Sequence, residues 1–158
     1  MPQATHAIEQ TIAIEAPPDR VYQALTDASE LVKWFPTTAE SDPRPGGAYA
    51  FSFEFAAATD RDHATEGTFL DVAANQRLRY TWPAGHAKVP TEVGFALAPE
   101  GSGTRLTLTH TGWTAATHES QKEHDMGWGF FLQNLKSWLE RGHDARGSAM
   151  GMKTAVAV

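Results

Sequence analysis

The run GTRLTLTHTGWTAATHESQKEHDMGWGFFLQNLKSWLER, residues 103–141, indicates a strand followed by a helix because its apolar period changes within it. Before Gly112 apolar and polar residues alternate, as they do along a strand with one buried face. After Gly112 the apolar residues recur about every 3.6 positions, which is the period of an amphipathic helix. This helical stripe consists of Trp128, Phe131, Leu132, Leu135, Trp138 and Leu139. We therefore predict a strand over 104–111 and a long helix over 118–141.

Five segments upstream show the two-residue alternation of strands. They lie at residues 8–14, 49–55, 64–73, 76–82 and 91–98. The links Ala74-Asn75 and Glu100-Gly101-Ser102-Gly103 are short and have turn composition, so successive strands should pair antiparallel.

Two short helices are predicted after the first strand. The first begins at Pro17-Pro18-Asp19, because proline followed by an acidic residue is typical of a first helical turn. The second begins at Asp27 and Glu30, which have the spacing of a capping box, and ends before Pro36.

This order of elements predicts an α+β fold in which a six-stranded antiparallel sheet wraps around the long C-terminal helix. Each strand offers one apolar face and the helix offers a wide apolar stripe, so burying both requires that they pack together. We expect a single domain over 7–141. Residues 142–158 are small and aperiodic, which predicts a loosely ordered tail.

Composition excludes several classes of function. The chain has no cysteine, so disulfides, thiolate nucleophiles and iron–sulfur clusters are absent. Its net charge is −6 without any basic run, which argues against nucleic acid as a partner. The start, Met1–His6, lacks the features of a signal peptide, and no segment has the length of a membrane span. We expect a cytoplasmic protein that does not bind membranes.

No cofactor or metal is expected either. The phosphate loop, the dinucleotide glycine pattern and the hydrolase serine elbow do not occur. His118 and His124 are six residues apart, which is neither of the spacings that place two ligands on one helix face.

The order of several motifs resembles the SRPBCC (START-like, birch-pollen-allergen-like) superfamily, and within it the branch named after the activator of the heat-shock protein 90 ATPase. The resemblance extends over about residues 7–141. It rests on the entry IEAPPDRVYQALT (14–26), the pair Trp34-Phe35, the turn DPRPGG (42–47), the segment RLRYTW (77–82), the hairpin arm GTRLTLTH (103–110) and Gly127-Trp128. It implies the helix-grip fold, which is the architecture already inferred from the residues.

The resemblance leaves the function open, since the superfamily includes lipid and hormone binders, polyketide cyclases and a co-chaperone domain. We expect a binding module that holds a small apolar or aromatic molecule between the sheet and the long helix. The alternatives are a cyclase- or hydratase-like enzyme using the same cavity and a stress-related co-chaperone or protein-interaction domain. A protein partner and a homodimer stay open.

The predicted ligand-binding residues are the large apolar side chains of the strand and helix faces, with a few polar tips. They are Trp34, Phe51, Phe53, Phe69, Tyr80, Trp82, Phe95, Leu97, Leu108, His110, Trp128, Phe131, Leu132 and Leu135. No catalytic residue is assigned. If the protein is an enzyme, His110 or Tyr80 is the candidate acid or base, although a lone histidine at a strand end is more often a hydrogen-bonded wall residue.

Gly127 and Gly129 lie within the predicted long helix, where each glycine costs about 1 kcal/mol relative to alanine. We interpret them as positions where the helix backbone approaches the sheet closely or bends.

Overall fold

A seven-stranded antiparallel sheet curls around one long helix in the computed structural model, which describes residues 6–56, 62–85 and 87–154. The strands are β1 (Ile8–Ile14), β2 (Thr38–Ser41), β3 (Ala48–Phe53), β4 (His63–Ala73), β5 (Arg77–Ala84), β6 (Val89–Glu100) and β7 (Gly103–Thr111). The helices are α1 (Pro18–Thr26), α2 (Ala28–Leu31), α3 (His118–Arg141) and α4 (Arg146–Met150), with a 3₁₀ turn at Ala115–Thr117.

The strand order is β1-β7-β6-β5-β4-β3-β2. Strands β2 to β7 form a meander in which each pairs with the next, and β1 pairs with β7 at the edge opposite β2. In β1 Ile8 pairs with His110 and Ile14 pairs with Thr104, so the first strand lies along the last. The turn after β4 uses Asn75 at φ +65°, a conformation that asparagine adopts readily. The predicted antiparallel α+β fold is therefore confirmed.

The predicted number of six strands is wrong, because the segment Thr38–Ser41 forms a further edge strand. It pairs with β3 through the register Thr38 to Ser52 and Ser41 to Tyr49. Its four residues are exposed or half-buried and include no large apolar side chain. Such an edge strand depends on backbone pairing with its neighbour. It therefore lacks the large apolar residues at alternate positions by which the sequence indicates the other strands.

The long helix begins and ends at the predicted residues. Gly142, at φ +67°, adopts the left-handed conformation that terminates helices, and its N–H donates to the Trp138 carbonyl at 2.9 Å. The apolar stripe faces the sheet, with Leu135 fully buried. The second short helix is only four residues long, and Trp34 and Phe35 lie in the turn that follows it.

The segment after α3 differs from the loosely ordered tail that the sequence predicts. The fully buried Arg146 donates to the carbonyls of Val32 at 2.6 Å and Pro36 at 2.7 Å, and it forms an ion pair with Asp144 at 2.8 Å. Met152 then pairs with Phe55 beside β3, while residues 155–158 lie outside the described residues. One polar side chain, which apolar periodicity cannot detect, anchors this segment.

None of the helices in the described residues combines the length and apolarity needed to cross a membrane.

Candidate functional site

A cavity of about 780 Å³ lies between strands β3 to β5 and the N-terminal half of α3, and it is partly open to solvent. Its wall contains six aromatic rings: Phe35, Phe53, Phe55, Trp82, Trp128 and Phe131. Its polar lining consists of Asp62, His63, Thr65, Lys88, Glu123 and His124. An apolar concave wall with a few polar groups is the usual form of a small-molecule site.

Phe35 forms the centre of the aromatic wall. Its ring centroid lies 4.9 Å from that of Phe131 in an edge-to-face arrangement and 5.3 Å from that of Trp128. Its neighbour Trp34 points away, since the Trp34 indole N–H donates to the buried Ala24 carbonyl at 2.8 Å. The turn after α2 therefore directs one aromatic residue into the core and the next toward the cavity.

Two of the charged groups in the lining have fixed partners. The Lys88 ammonium donates to the Ala64 carbonyl at 2.9 Å, and the Asp62 carboxylate accepts the Phe55 backbone N–H at 2.8 Å. Both side chains therefore hold the cavity edge together.

Thr65 is the polar group buried most deeply in the lining, with 4% of its surface exposed. Its hydroxyl approaches the Tyr49 phenol, which itself donates to the Thr81 carbonyl at 2.7 Å. Within the described residues, however, Thr65 Oγ1 makes no hydrogen bond of ordinary geometry. The oxygen is sealed from solvent beside the Tyr49 phenol, so it belongs to the packed wall and is not a contact for a guest molecule.

His124 presents an imidazole edge at the cavity. Its Nδ1 donates to the Ser120 carbonyl at 2.8 Å, one helical turn back. Its ring lies 5.1 Å from Trp113 and 6.5 Å from Trp82, which hold its orientation. Burial lowers the pKa of His124, with an opposing effect from the Ser120 hydrogen bond. The ring is therefore neutral near pH 7, and its Nε2 is an acceptor.

His110 is fully buried and both of its ring nitrogens are engaged. The Trp128 indole donates to Nδ1 at 3.0 Å, and since an indole N–H only donates, that nitrogen carries no proton. Nε2–H therefore donates to Thr91 Oγ1 at 2.7 Å, and the Thr91 hydroxyl donates to the Trp82 carbonyl. Burial, with His124 nearby, lowers the pKa of His110 to about 3. The ring has no free lone pair with which to act as a base.

Tyr80 does not contribute to the described lining of the cavity. Burial raises the pKa of Tyr80 well above its usual value, with a further contribution from Tyr49. Its phenol therefore stays protonated in the core, away from the space where a reactant would lie.

The structure brings four of the predicted ligand-binding residues to the cavity: Phe53, Trp82, Trp128 and Phe131. The others are buried in the core outside its lining: Trp34, Phe51, Phe69, Tyr80, Phe95, Leu97, Leu108, His110, Leu132 and Leu135. Aromatic rings fill the middle of the fold, where Phe95 lies 5.9 Å from Trp128 and 6.4 Å from Tyr80. The free space is therefore displaced toward β3, β4 and the start of α3.

The apolar patterns of the sequence did not indicate several lining residues, among them Phe35, Phe55, Thr65, His124 and Met150. His124 had a detectable signal, since it precedes Trp128 by one helical turn on the predicted apolar stripe. Met150 had no such signal, because the buried contacts of Arg146 are what bring its segment to the cavity.

Gly127 also lines the cavity, and the interpretation of close backbone approach is wrong for it. A Cβ built on Gly127 meets no atom within 4 Å, and one on Gly129 meets only the Gln10 side chain, at 3.8 Å. The missing side chain at Gly127 instead leaves space in the cavity wall.

The described ranges contain no cluster of three histidine or carboxylate side chains with metal-binding geometry. His124 and His63 both line the cavity, but they do not form such a cluster with the acidic groups around them.

Comparison with known proteins supplies a family and several similar folds. The family model "Activator of Hsp90 ATPase homolog 1-like protein" matches residues 15–140. A crystal structure from Chromobacterium violaceum is 31% identical with a TM-score of 0.74, covering 85% of this chain and 97% of that one. One from Mesorhizobium loti is 23% identical with a TM-score of 0.75, covering 87% and 99%.

The solution structure of the Aha1 dimer from Colwellia psychrerythraea is 26% identical with a TM-score of 0.71, covering 87% of this chain and 98% of that one. The curated proteins contain no match.

Proposed function

The chain belongs to the activator of Hsp90 ATPase homolog 1-like family, and we propose that it is a module that binds a small apolar or aromatic molecule. The molecule occupies the cavity between the sheet and α3. The observation that carries the proposal is the cavity of about 780 Å³ with six aromatic rings in its wall. Sites for small organic molecules have volumes of about 300–1,000 Å³ and mostly apolar linings.

The arrangement of the rings supports an aromatic guest. Trp128 and Phe131 lie 5.3 and 4.9 Å from the central ring of Phe35, a spacing at which aromatic groups attract each other. A planar guest would add a further ring to this group. Burial of its apolar surface would contribute about 25 cal/mol per Å² removed from water.

An enzyme that uses His110 or Tyr80 in this cavity has less support. His110 uses both ring nitrogens inside the core, and neither residue belongs to the described lining. A base must reach the proton that it removes, directly or through one water molecule. No observation comparable to the aromatic cavity supports a protein-interaction role.

The experiment is a titration with 2-methylnaphthalene followed by tryptophan emission, since Trp82 and Trp128 line the cavity. Native mass spectrometry of freshly purified protein would show a ligand acquired in the cell. We expect saturable binding, weakened by Gly127→Leu, because that side chain would enter the cavity. Gly129→Leu is the matched control on the same helix, at a position outside the lining.

Equal effects of the two glycine substitutions would place the guest elsewhere. If neither 2-methylnaphthalene nor a fatty acid changes the emission up to its solubility limit, the binding function is wrong.

A homodimer is the second part of the proposal. The similar protein from Colwellia psychrerythraea is described as a dimer. Light scattering after size exclusion should give twice the chain mass of 17.2 kDa, and a mass of one chain at micromolar concentration would refute this part.

A further inference from the structure

The wall of the cavity contains one polar atom, Nε2 of His124, that makes no hydrogen bond within the described residues. A polar atom that faces an apolar cavity without a partner disfavours a purely apolar guest, because that guest would displace water from it. It favours a guest with a complementary polar group.

The hydrogen-bonding role of His124 follows from its other nitrogen. Nδ1 lies 2.8 Å from the Ser120 carbonyl, which only accepts, so Nδ1 carries the proton. In the neutral ring Nε2 then holds a lone pair, on the ring edge opposite the helix backbone. Burial lowers the pKa of His124 and keeps the ring in this neutral form.

The orientation of this lone pair is fixed by packing. The His124 ring lies 5.1 Å from Trp113 and 5.6 Å from His110, in a tilted and an edge-to-face arrangement. The Ser120 hydrogen bond removes the remaining rotation. An acceptor held in one direction discriminates between guests, since a guest that places a donor there gains a bond without ordering the side chain.

We propose that His124 Nε2 selects, among aromatic guests of similar shape, those that carry a hydroxyl or N–H donor. This inference rests on the binding function proposed above. The ligand class is a phenol, or an N–H heteroaromatic compound, whose ring packs on Phe35 and Trp128 while its donor bonds Nε2.

The experiment compares 2-naphthol with 2-methylnaphthalene, which have nearly the same shape and differ in one donor. Isothermal titration at neutral pH measures both dissociation constants with wild-type protein and with His124→Phe. We expect wild-type protein to bind 2-naphthol about tenfold more tightly, the ratio that one hydrogen bond supports. His124→Phe should reduce the ratio to about one, and it should bind 2-methylnaphthalene more tightly than wild-type protein does, because the guest no longer displaces water from an unpaired acceptor.

The exposed His118→Phe, in the first turn of α3, is the matched control and should keep the tenfold ratio. If His124→Phe does not fold, the ¹⁵N resonance of Nε2 in wild-type protein provides a second test. It should shift on addition of 2-naphthol and stay in place on addition of 2-methylnaphthalene.

Equal affinities in wild-type protein, or a preference that survives His124→Phe, would overturn this inference and leave the binding function intact. Absence of binding by both compounds would overturn the binding function as well.

Discussion

Trp128 donates its indole N–H to Nδ1 of His110 at 3.0 Å, joining α3 to the last strand of the sheet inside the core. The bond fixes the tautomer of His110, and through Nε2 it extends to Thr91 and the Trp82 carbonyl. Each polar atom in this hydrogen-bond network has a partner. The network therefore joins helix and sheet and does not supply a reactive group.

The buried His110 makes stability depend on pH. Its folded pKa of about 3 lies below its usual value of 6.5, so the unfolded chain binds the proton first as pH falls. The unfolding free energy therefore decreases below about pH 6.5, by about 1.4 kcal/mol per pH unit for this group, and the loss levels off near the folded pKa. We expect His110→Gln to reduce the slope by this amount in urea unfolding between about pH 6.5 and pH 5.

His118→Gln is the control for the previous prediction, because His118 is exposed at the start of α3. His124, whose pKa burial also lowers, contributes in the same direction and is present in both variants. An unchanged slope in His110→Gln would assign the acid sensitivity to other groups.

Leu135 should be among the most costly residues to truncate in α3. It is fully buried in the middle of the apolar stripe, so Leu135→Ala should lower the unfolding free energy by about 2–5 kcal/mol through the cavity that it leaves. Exposed Gln133→Ala should cost less than about 0.5 kcal/mol. Lys136 is a poor control, because its ammonium donates to the Ala13 carbonyl at 2.6 Å and to Glu140 at 2.7 Å. Similar costs at 133 and 135 in denaturant melts would contradict the helix register.

Arg146 should anchor the C-terminal segment in solution. Arg146→Met would leave the carbonyls of Val32 and Pro36 and the Asp144 carboxylate without their donor, at a cost of about 3–5 kcal/mol. The matched control is Arg105→Met, which breaks a surface pair with Glu100 and should cost less than about 1 kcal/mol. Chemical unfolding gives both costs, and limited proteolysis should show cleavage after residue 142 only in Arg146→Met. Protection of this segment in that variant would mean that other contacts hold it.

Gly127→Ala should stabilise the protein. A Cβ at Gly127 meets no atom within 4 Å, and alanine is the better helix former by about 1 kcal/mol. Gly85→Ala should have the opposite effect, because Gly85 has φ +67°, a conformation that costs residues with a Cβ about 1–2 kcal/mol. Thermal unfolding should therefore show a higher Tm for the first variant and a lower Tm for the second. A lower Tm for Gly127→Ala would mean that the space above this helix position is filled in solution.

The sequence predicts the fold well where burial has a period. Leu106 and Leu108 alternate with threonines, and both are fully buried, while the α3 stripe follows the helical period along its length. The failures are the edge strand Thr38–Ser41 and the docked segment after Gly142. The first is held by backbone pairing and the second by a buried ion pair with carbonyl contacts. Neither interaction leaves an apolar pattern.

For the site, the sequence already predicts that large aromatic residues are buried between one helix and one sheet, because strand alternation and helical spacing place them on inward faces. The packing of the folded chain then sets which rings fill the core and which surround free space, as the neighbours Trp34 and Phe35 illustrate. It also decided that His110 is enclosed while His124 keeps one nitrogen open to the cavity. Periodicity specifies the face on which a side chain lies, whereas packing and hydrogen-bond partners depend on residues distant in sequence.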